Sequence, residues 1–100
     1  MRAIVLYHPK SDHAGIVEEF VHDFERFKGK KIERVSLETV EGSALAELYD
    51  VVRYPAIIVI GPGGVLQQMW QGPSMPLMND VDAVLPNYDR DLAVAQILSA

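Results

Sequence analysis

The sequence of 100 residues predicts a single α/β domain in which helices cover a mixed β-sheet. Its first half alternates a strand, an amphipathic helix, a second strand and a shorter helix, an order typical of parallel βαβ units. Its second half places two strands on either side of a glycine-rich turn, which is typical of an antiparallel hairpin. The length is close to the commonest domain size and is sufficient for one hydrophobic core.

Composition and charge exclude several classes of protein. Hydrophobic residues make up 49% of the chain and charged residues 23%, as in folded globular proteins. The formal net charge of −5 opposes binding to nucleic acids and to anionic membranes. The sequence contains no cysteine, which excludes disulfides, thiolate nucleophiles and thiolate metal ligands. With neither a leader pattern nor an apolar run near the ~20 residues of a membrane span, we expect a cytoplasmic protein without membrane or nucleic-acid partners.

The first strand and helix are predicted from two different apolar patterns. Residues 3–7 form a continuous apolar run, as expected for a central strand covered on both faces. Residues 12–27 carry apolar side chains at helical spacing, with Ser11 or Asp12 as the cap at the start and Gly29 at the end. The predicted inward stripe consists of Ile16, Val17, Phe20, Val21, Phe24 and Phe27.

The second strand and helix complete the βαβα order. Residues 31–37 alternate apolar and polar side chains and should pair parallel to the first strand through a right-handed crossover. A short helix is predicted over residues 43–51, capped by Ser43, with Leu45, Leu48 and Val52 on one side. The basic cluster between the first helix and the second strand, Lys28, Lys30 and Lys31, is interpreted as a solvated turn.

The hairpin and the last helix follow. Residues 56–60 are fully apolar, residues 61–64 form the turn, and residues 65–71 carry three glutamines that suit a sheet edge. Ser74 caps a helix predicted to run to about Leu85. Trp70 either packs under this helix or forms an exposed contact, and Met69, Met75 and Met78 either fill gaps in the core or adapt to a partner.

The chain divides into one domain and a short extension. Pro86 ends the last predicted helix, so the domain is placed at residues 1–86. Residues 87–100 are either a tail or a further short helix of the same domain.

Local sequence at two places resembles the thioredoxin-like fold, which includes thioredoxins and glutaredoxins, over roughly residues 2–85. One place is Tyr54-Pro55 before the apolar third strand, together with the Gly63-Gly64-Val65 turn and Trp70-Gln71-Gly72. The resemblance implies a three-layer α/β/α sandwich with a mixed four-stranded sheet and a C-terminal extension. It also implies a cis bond before Pro55, where the sequence alone favours trans.

The second place is residues 7–14, where thioredoxins carry Cys-x-x-Cys at the start of the first helix. Ser11 and Ala14 occupy the two cysteine positions. A serine hydroxyl cannot replace the thiolate of disulfide exchange, so we expect neither redox activity nor another catalytic role, and no cofactor. The groove that the resemblance implies presents main-chain groups to an extended peptide or to glutathione. Its expected binding residues are Tyr7, His8, Ser11, Asp12, His13, Tyr54 and Pro55.

Two other chemistries are weighed for the same stretch. Ser11 with His13 or His8 as a base would need an orienting acid and an oxyanion hole, and a helix cap explains Ser11 more simply. A metal site would use His8, Asp12, His13, Glu18 and His22, but no HExxH pattern occurs, so we expect surface histidines and no metal.

Three functions remain, in order of preference. The first is a non-catalytic thioredoxin-like domain that binds a protein or peptide in the cis-proline groove. The second is a structural module that forms homo-oligomers through the fourth strand or residues 87–100. The third is a glutathione-binding protein or an enzyme that uses Ser11, Tyr7 or His13.

Overall fold

A computed structural model of the chain describes residues 1–85. Residues 86–100, and with them the predicted tail or short helix, lie outside the described part. The elements, in chain order, are β1 (Arg2–Tyr7), α1 (Ala14–Lys28), β2 (Glu33–Ser36), α2 (Val40–Leu48), β3 (Ala56–Ile60), a 3-10 turn (Pro62–Gly64), β4 (Leu66–Gln71) and α3 (Met78–Val84).

The four strands form one mixed sheet in the order β2-β1-β3-β4. Strand β1 pairs parallel with β2 and antiparallel with β3, and β3 pairs antiparallel with β4. The parallel βαβ unit, the hairpin and the edge position of β4 are therefore confirmed. Every residue of β3 is buried, as a continuous apolar run predicts for a central strand.

Helices cover both faces of the sheet and separate the core into two clusters. On one face, Phe24 of α1 and Val81 of α3 are fully buried against the sheet. On the other face, Ala46 of α2 and Val51 pack against the alternate side chains of the same strands. The fold is thus a three-layer α/β/α sandwich, as expected.

The start of α1 differs from the prediction, whereas its end agrees. Neither Ser11 nor Asp12 caps the helix, which begins at Ala14 after His13 and has no side-chain cap. The Ser11 hydroxyl instead donates to the carbonyl oxygen of His8 at 2.5 Å. Gly29 ends the helix in the left-handed conformation, φ 67°, and its N–H donates to Glu25 O.

Helix α2 begins three residues before the predicted start. Thr39 is its N-cap, and the Thr39 hydroxyl accepts a hydrogen bond from Gly42 N at 3.0 Å. Ser43 is therefore wrong as a cap, because it lies within the helix. Gly42 is a helical residue with no room for a side chain, since a Cβ would lie 2.0 Å from the carbonyl oxygen of Ser36.

The third helix is shorter than predicted, and Ser74 does not cap it. Helix α3 begins at Met78 after Leu77, which provides no side-chain hydrogen bond. Trp70 is half-buried against the cluster beneath α1 and α3, in agreement with the core interpretation. Met75 and Met78 join the same cluster, whereas Met69 packs on the opposite face of the sheet.

The buried stripes of the helices are narrower than the sequence pattern suggested. Ile16 and Phe27, expected to point inward, are 60% and 62% exposed. Helix α1 buries only Ala14, Val17, Val21 and Phe24, with Phe20 partly buried against the same cluster. Leu48 and Val52 are likewise exposed beside α2. No helix within residues 1–85 is long and apolar enough to cross a bilayer.

The basic cluster after α1 is not simply a solvated turn. Lys28 Nζ donates to Asn79 Oδ1 at 2.5 Å, and Lys30 Nζ contacts Asp82 Oδ1 and Leu85 O, both at 2.7 Å. Because Lys30 and Asp82 are half-buried, the attraction between their charges is screened less by solvent than that of an exposed ion pair. Lys28 and Lys30 thus connect the end of α1 and the residues after it to α3.

We expect Gly42→Ala to lower the free energy of unfolding by about 1–3 kcal/mol, because the added methyl group overlaps the backbone at Ser36. Gly15→Ala is the matched control, since Gly15 lies in α1 with no atom near its would-be Cβ. This control should raise stability by up to about 1 kcal/mol. Urea denaturation measures both variants, and equal stabilisation by the two would contradict the close packing at Gly42.

Candidate functional site

The predicted binding residues meet where the loop after β1 faces the segment before β3. The rings of His8 and Tyr54 lie edge to face, with centroids 5.6 Å apart. The His13 ring lies 6.3 Å from that of His8 and 6.5 Å from that of Tyr7. The structure therefore brings one tyrosine from β1, two histidines from its loop and Tyr54 into a single aromatic cluster.

The loop between β1 and α1 is held by its own hydrogen bonds. The N–H and the hydroxyl of Ser11 both donate to the carbonyl oxygen of His8, at 3.1 Å and 2.5 Å. The N–H of Ala14 donates in turn to Ser11 O at 3.2 Å. Because the Ser11 hydroxyl proton is directed at a carbonyl oxygen and not at an imidazole nitrogen, this geometry does not activate it as a nucleophile.

His13 is held as a neutral acceptor. Its Nε2 accepts a hydrogen bond from the backbone N–H of His8 at 3.2 Å, which requires an unprotonated nitrogen. Burial lowers the pKa of His13 below its ordinary value of 6.5, and the neighbouring His8 lowers it further, while Asp12 acts in the opposite direction. The imidazole of His13 thus stabilises the loop by accepting this hydrogen bond.

The seven predicted residues differ in accessibility. Tyr7 is only 5% exposed and belongs to the core, and Pro55 is also buried. Both residues therefore pack beneath the site and are not accessible to a ligand. A ligand can reach the other five side chains. Those of His8 and Asp12 are exposed, and those of Ser11, His13 and Tyr54 are half-buried.

The segment before β3 is fixed by contacts that the sequence reasoning missed. The side-chain oxygen of Gln71 accepts hydrogen bonds from the N–H groups of Val52 and Arg53, at 2.9 Å and 3.0 Å. The Tyr54 hydroxyl donates to Val51 O at 3.1 Å. Gln71 was interpreted only as an edge residue, and nothing in the local pattern of β4 distinguishes it from the other glutamines.

Gly72 approaches the same segment from the end of β4. Its N–H donates to Pro55 O at 2.7 Å, and a Cβ on Gly72 would lie 2.7 Å from Tyr54 O. Only glycine fits at this distance. A glycine directly after a strand was the available sequence signal for a close backbone approach. The Tyr54–Pro55 and Gly72–Pro73 peptide bonds are both cis.

An open groove of about 510 Å³ begins at the aromatic cluster and runs along α2. His8 and Tyr54 lie at one end of it. The remaining walls are formed by Leu37, Ser43, Ala46, Glu47, Asp50 and Val51. None of these six was predicted. Four of them come from the loop after β2 and from α2, distant in sequence from both halves of the expected site, whereas Asp50 and Val51 belong to the segment between α2 and Tyr54.

The residues weighed for a metal site do not gather around one point. Glu18 Oε1 lies 3.9 Å from a guanidinium nitrogen of Arg34, and His22 is exposed on α1. Within residues 1–85, no group of three or more histidine or acidic side chains is placed to hold an ion.

The strand order and the three layers define a thioredoxin-like fold, and the chain contains no cysteine. Two solved structures share this fold. Thioredoxin 1 from the thermophilic eubacterium Thermosipho africanus TCF52B superposes with a TM-score of 0.59 at 11% identity, over 96% of this chain and 99% of that one. A malarial protein superposes with a TM-score of 0.56 at 17% identity, over 84% and 93%. No protein-family model matches the sequence, and no curated protein does.

The lowered pKa of His13 predicts a loss of stability in acid. The folded state binds fewer protons at His13 than the unfolded state, so stability is greatest above the ordinary pKa and falls as the pH drops through and below it. Urea denaturation between about pH 7 and pH 5 should show a smaller loss for His13→Gln than for the wild type. His22→Gln is the control and should behave as the wild type. An NMR midpoint for His13 at or above 6.5 would contradict this account.

Proposed function

We propose that this chain is a non-catalytic thioredoxin-like domain that binds a protein or peptide in the groove beside His8 and Tyr54. The observation that carries the proposal is the edge-to-face contact of these two rings, both of which line the groove. Partly exposed aromatic side chains with fixed positions offer a ligand a large contact area at small entropic cost.

The absence of catalysis is part of the proposal. Ser11 and Ala14 take the places of the cysteine pair, and Ala14 is 9% exposed. The Ser11 hydroxyl is already bonded to His8 O, and His13 Nε2 to His8 N–H. Ser11 and His13 are therefore not arranged for nucleophilic attack, so the loop is better suited to contacting a ligand than to reacting with it.

An extended ligand fits the backbone beside Tyr54. Within residues 1–85, neither the N–H nor the carbonyl of Tyr54 forms a backbone hydrogen bond. Tyr54 lies just before β3. Its neighbours in the segment form hydrogen bonds with the Gln71 side chain and with the Gly72 N–H. Unpaired main-chain groups at a fixed position favour recognition of an extended strand, in which the ligand backbone supplies the missing partners.

Peptides selected from a random display library should bind the wild type and lose binding to Tyr54→Arg, because the charged side chain replaces the aromatic wall. Tyr54→Phe is the matched control, since it keeps the ring and removes only the hydroxyl bond to Val51 O. We expect Tyr54→Phe to retain binding. Circular dichroism establishes that each variant is folded, and unchanged affinity in a folded Tyr54→Arg would contradict the proposed site.

Self-association is a second candidate, favoured by the chemistry of the sheet edges. Strand β4 is an edge strand of six residues without a charged side chain, whereas the opposite edge strand β2 carries Glu33 and Arg34. Charged side chains are a common protection of sheet edges against pairing with other chains.

This candidate predicts a mass that rises with protein concentration in sedimentation velocity. Gln68→Lys, which places a charge on β4, should then shift the protein toward monomer, whereas Ala83→Lys on α3 adds the same charge elsewhere and should not. Wild-type protein that stays monomeric at all concentrations would eliminate edge pairing.

A further inference from the structure

The groove beside His8 and Tyr54 extends beyond the aromatic cluster. A second depression of about 440 Å³ lies alongside the start of α2 and includes Glu38 and Val40. It shares Leu37, Ser43 and Glu47 with the first depression, so the two lie next to each other along α2. We call the two depressions together the α2 groove.

Among residues 1–85, the α2 groove is lined by carboxylates and by no lysine or arginine. Glu38, Glu47 and Asp50 all contribute to its walls and are all exposed. None of the three forms an ion pair with another residue in the described part of the chain. The cations nearest to the aromatic cluster in sequence, Lys10 and Arg53, are not among the residues that line either depression.

Two of these carboxylates lie where α2 itself disfavours them. The carboxyl end of a helix carries a partial negative charge, so Glu47 in the last turn and Asp50 just beyond it are unfavourable for the helix. Helix α2 has no basic residue in its last turn to offset them. Asp50 is moreover fixed in the left-handed conformation, φ 56°, while the N–H of Val51 closes the helix on Ala46 O. A bound cation would remove this electrostatic cost.

Apolar surface accompanies the carboxylates. Leu37 is half-buried in the wall shared by the two depressions, and Val40 is 89% exposed at the far end. A ligand complementary to the α2 groove therefore combines positive charge with apolar side chains. An extended peptide can present both, because its side chains alternate in direction.

We propose that the α2 groove takes an extended basic segment of another protein, with lysine or arginine side chains opposite Glu38, Glu47 and Asp50 and apolar side chains against Leu37 and Val40. The proposal rests on the proposed function and adds the chemistry of the ligand. Charge complementarity of this kind sets partner choice and speeds association more than it adds affinity. The interaction weakens as salt screens the charges.

The test uses a fluorescent peptide of alternating valine and lysine, with a valine–glutamate peptide for comparison, in anisotropy titrations. The groove variant carries Glu38→Gln, Glu47→Gln and Asp50→Asn, since asparagine tolerates the left-handed conformation. Its matched control carries Glu19→Gln, Asp23→Asn and Glu25→Gln on α1, on the opposite face of the sheet. Both variants change the net charge equally.

We expect the valine–lysine peptide to bind the wild type and the α1 control alike and the groove variant roughly tenfold more weakly, as expected for three exposed charge pairs. Equal weakening by the two variants would show attraction to net charge alone and overturn the proposal. Failure of the valine–lysine peptide to bind the wild type, or equally tight binding of the valine–glutamate peptide, would also overturn it.

Tyr54→Arg separates this inference from the proposed function. Loss of valine–lysine binding in Tyr54→Arg, with unchanged binding in the groove variant, would retain the peptide site beside Tyr54 and reject the basic ligand. Weakened binding in the groove variant alone, with Tyr54→Arg unaffected, would support a basic ligand along α2 and reject the site beside Tyr54.

Discussion

The closest backbone approach at the site joins Gly72, at the end of β4, to the turn that precedes β3. The Gly72 N–H donates to Pro55 O at 2.7 Å, and the two backbone segments are too close together for any side chain at position 72. Gln71 extends the same junction by accepting hydrogen bonds from Val52 and Arg53. Tyr54 is therefore positioned by the sheet and not by a free loop, so it can act as a fixed wall of the groove.

The burial of β1 and β3 on both faces determines where the groove can form. Strands of this kind require cover on each side, which α1 and α3 supply on one face and α2 on the other. The loop after β1 then reaches Tyr54 at one end of the sheet, and α2 forms a wall on one side. In this loop, the backbone of His8 forms hydrogen bonds with the side chains of Ser11 and His13 just before α1.

The strands, their order along the chain and the end of α1 at Gly29 could be predicted from the sequence, because apolar runs and a left-handed glycine are local signals. Helix starts were predicted poorly, since Ser11 and Ser43 are suitable caps by type but the chain turns elsewhere. The contacts of Lys30 with α3 and of Gln71 with the segment before Pro55 depend on tertiary proximity that no local pattern contains. The same reason explains why the aromatic end of the groove was predicted and its α2 wall was not.

The most direct test of a peptide site beside Tyr54 is a crystal structure of the chain with a peptide selected from the random display library. We expect an extended peptide whose main chain pairs with the N–H and carbonyl of Tyr54 and whose side chains contact the His8 ring. A peptide bound along β4 or against α1, with the surface around Tyr54 and His8 left uncovered, would contradict it.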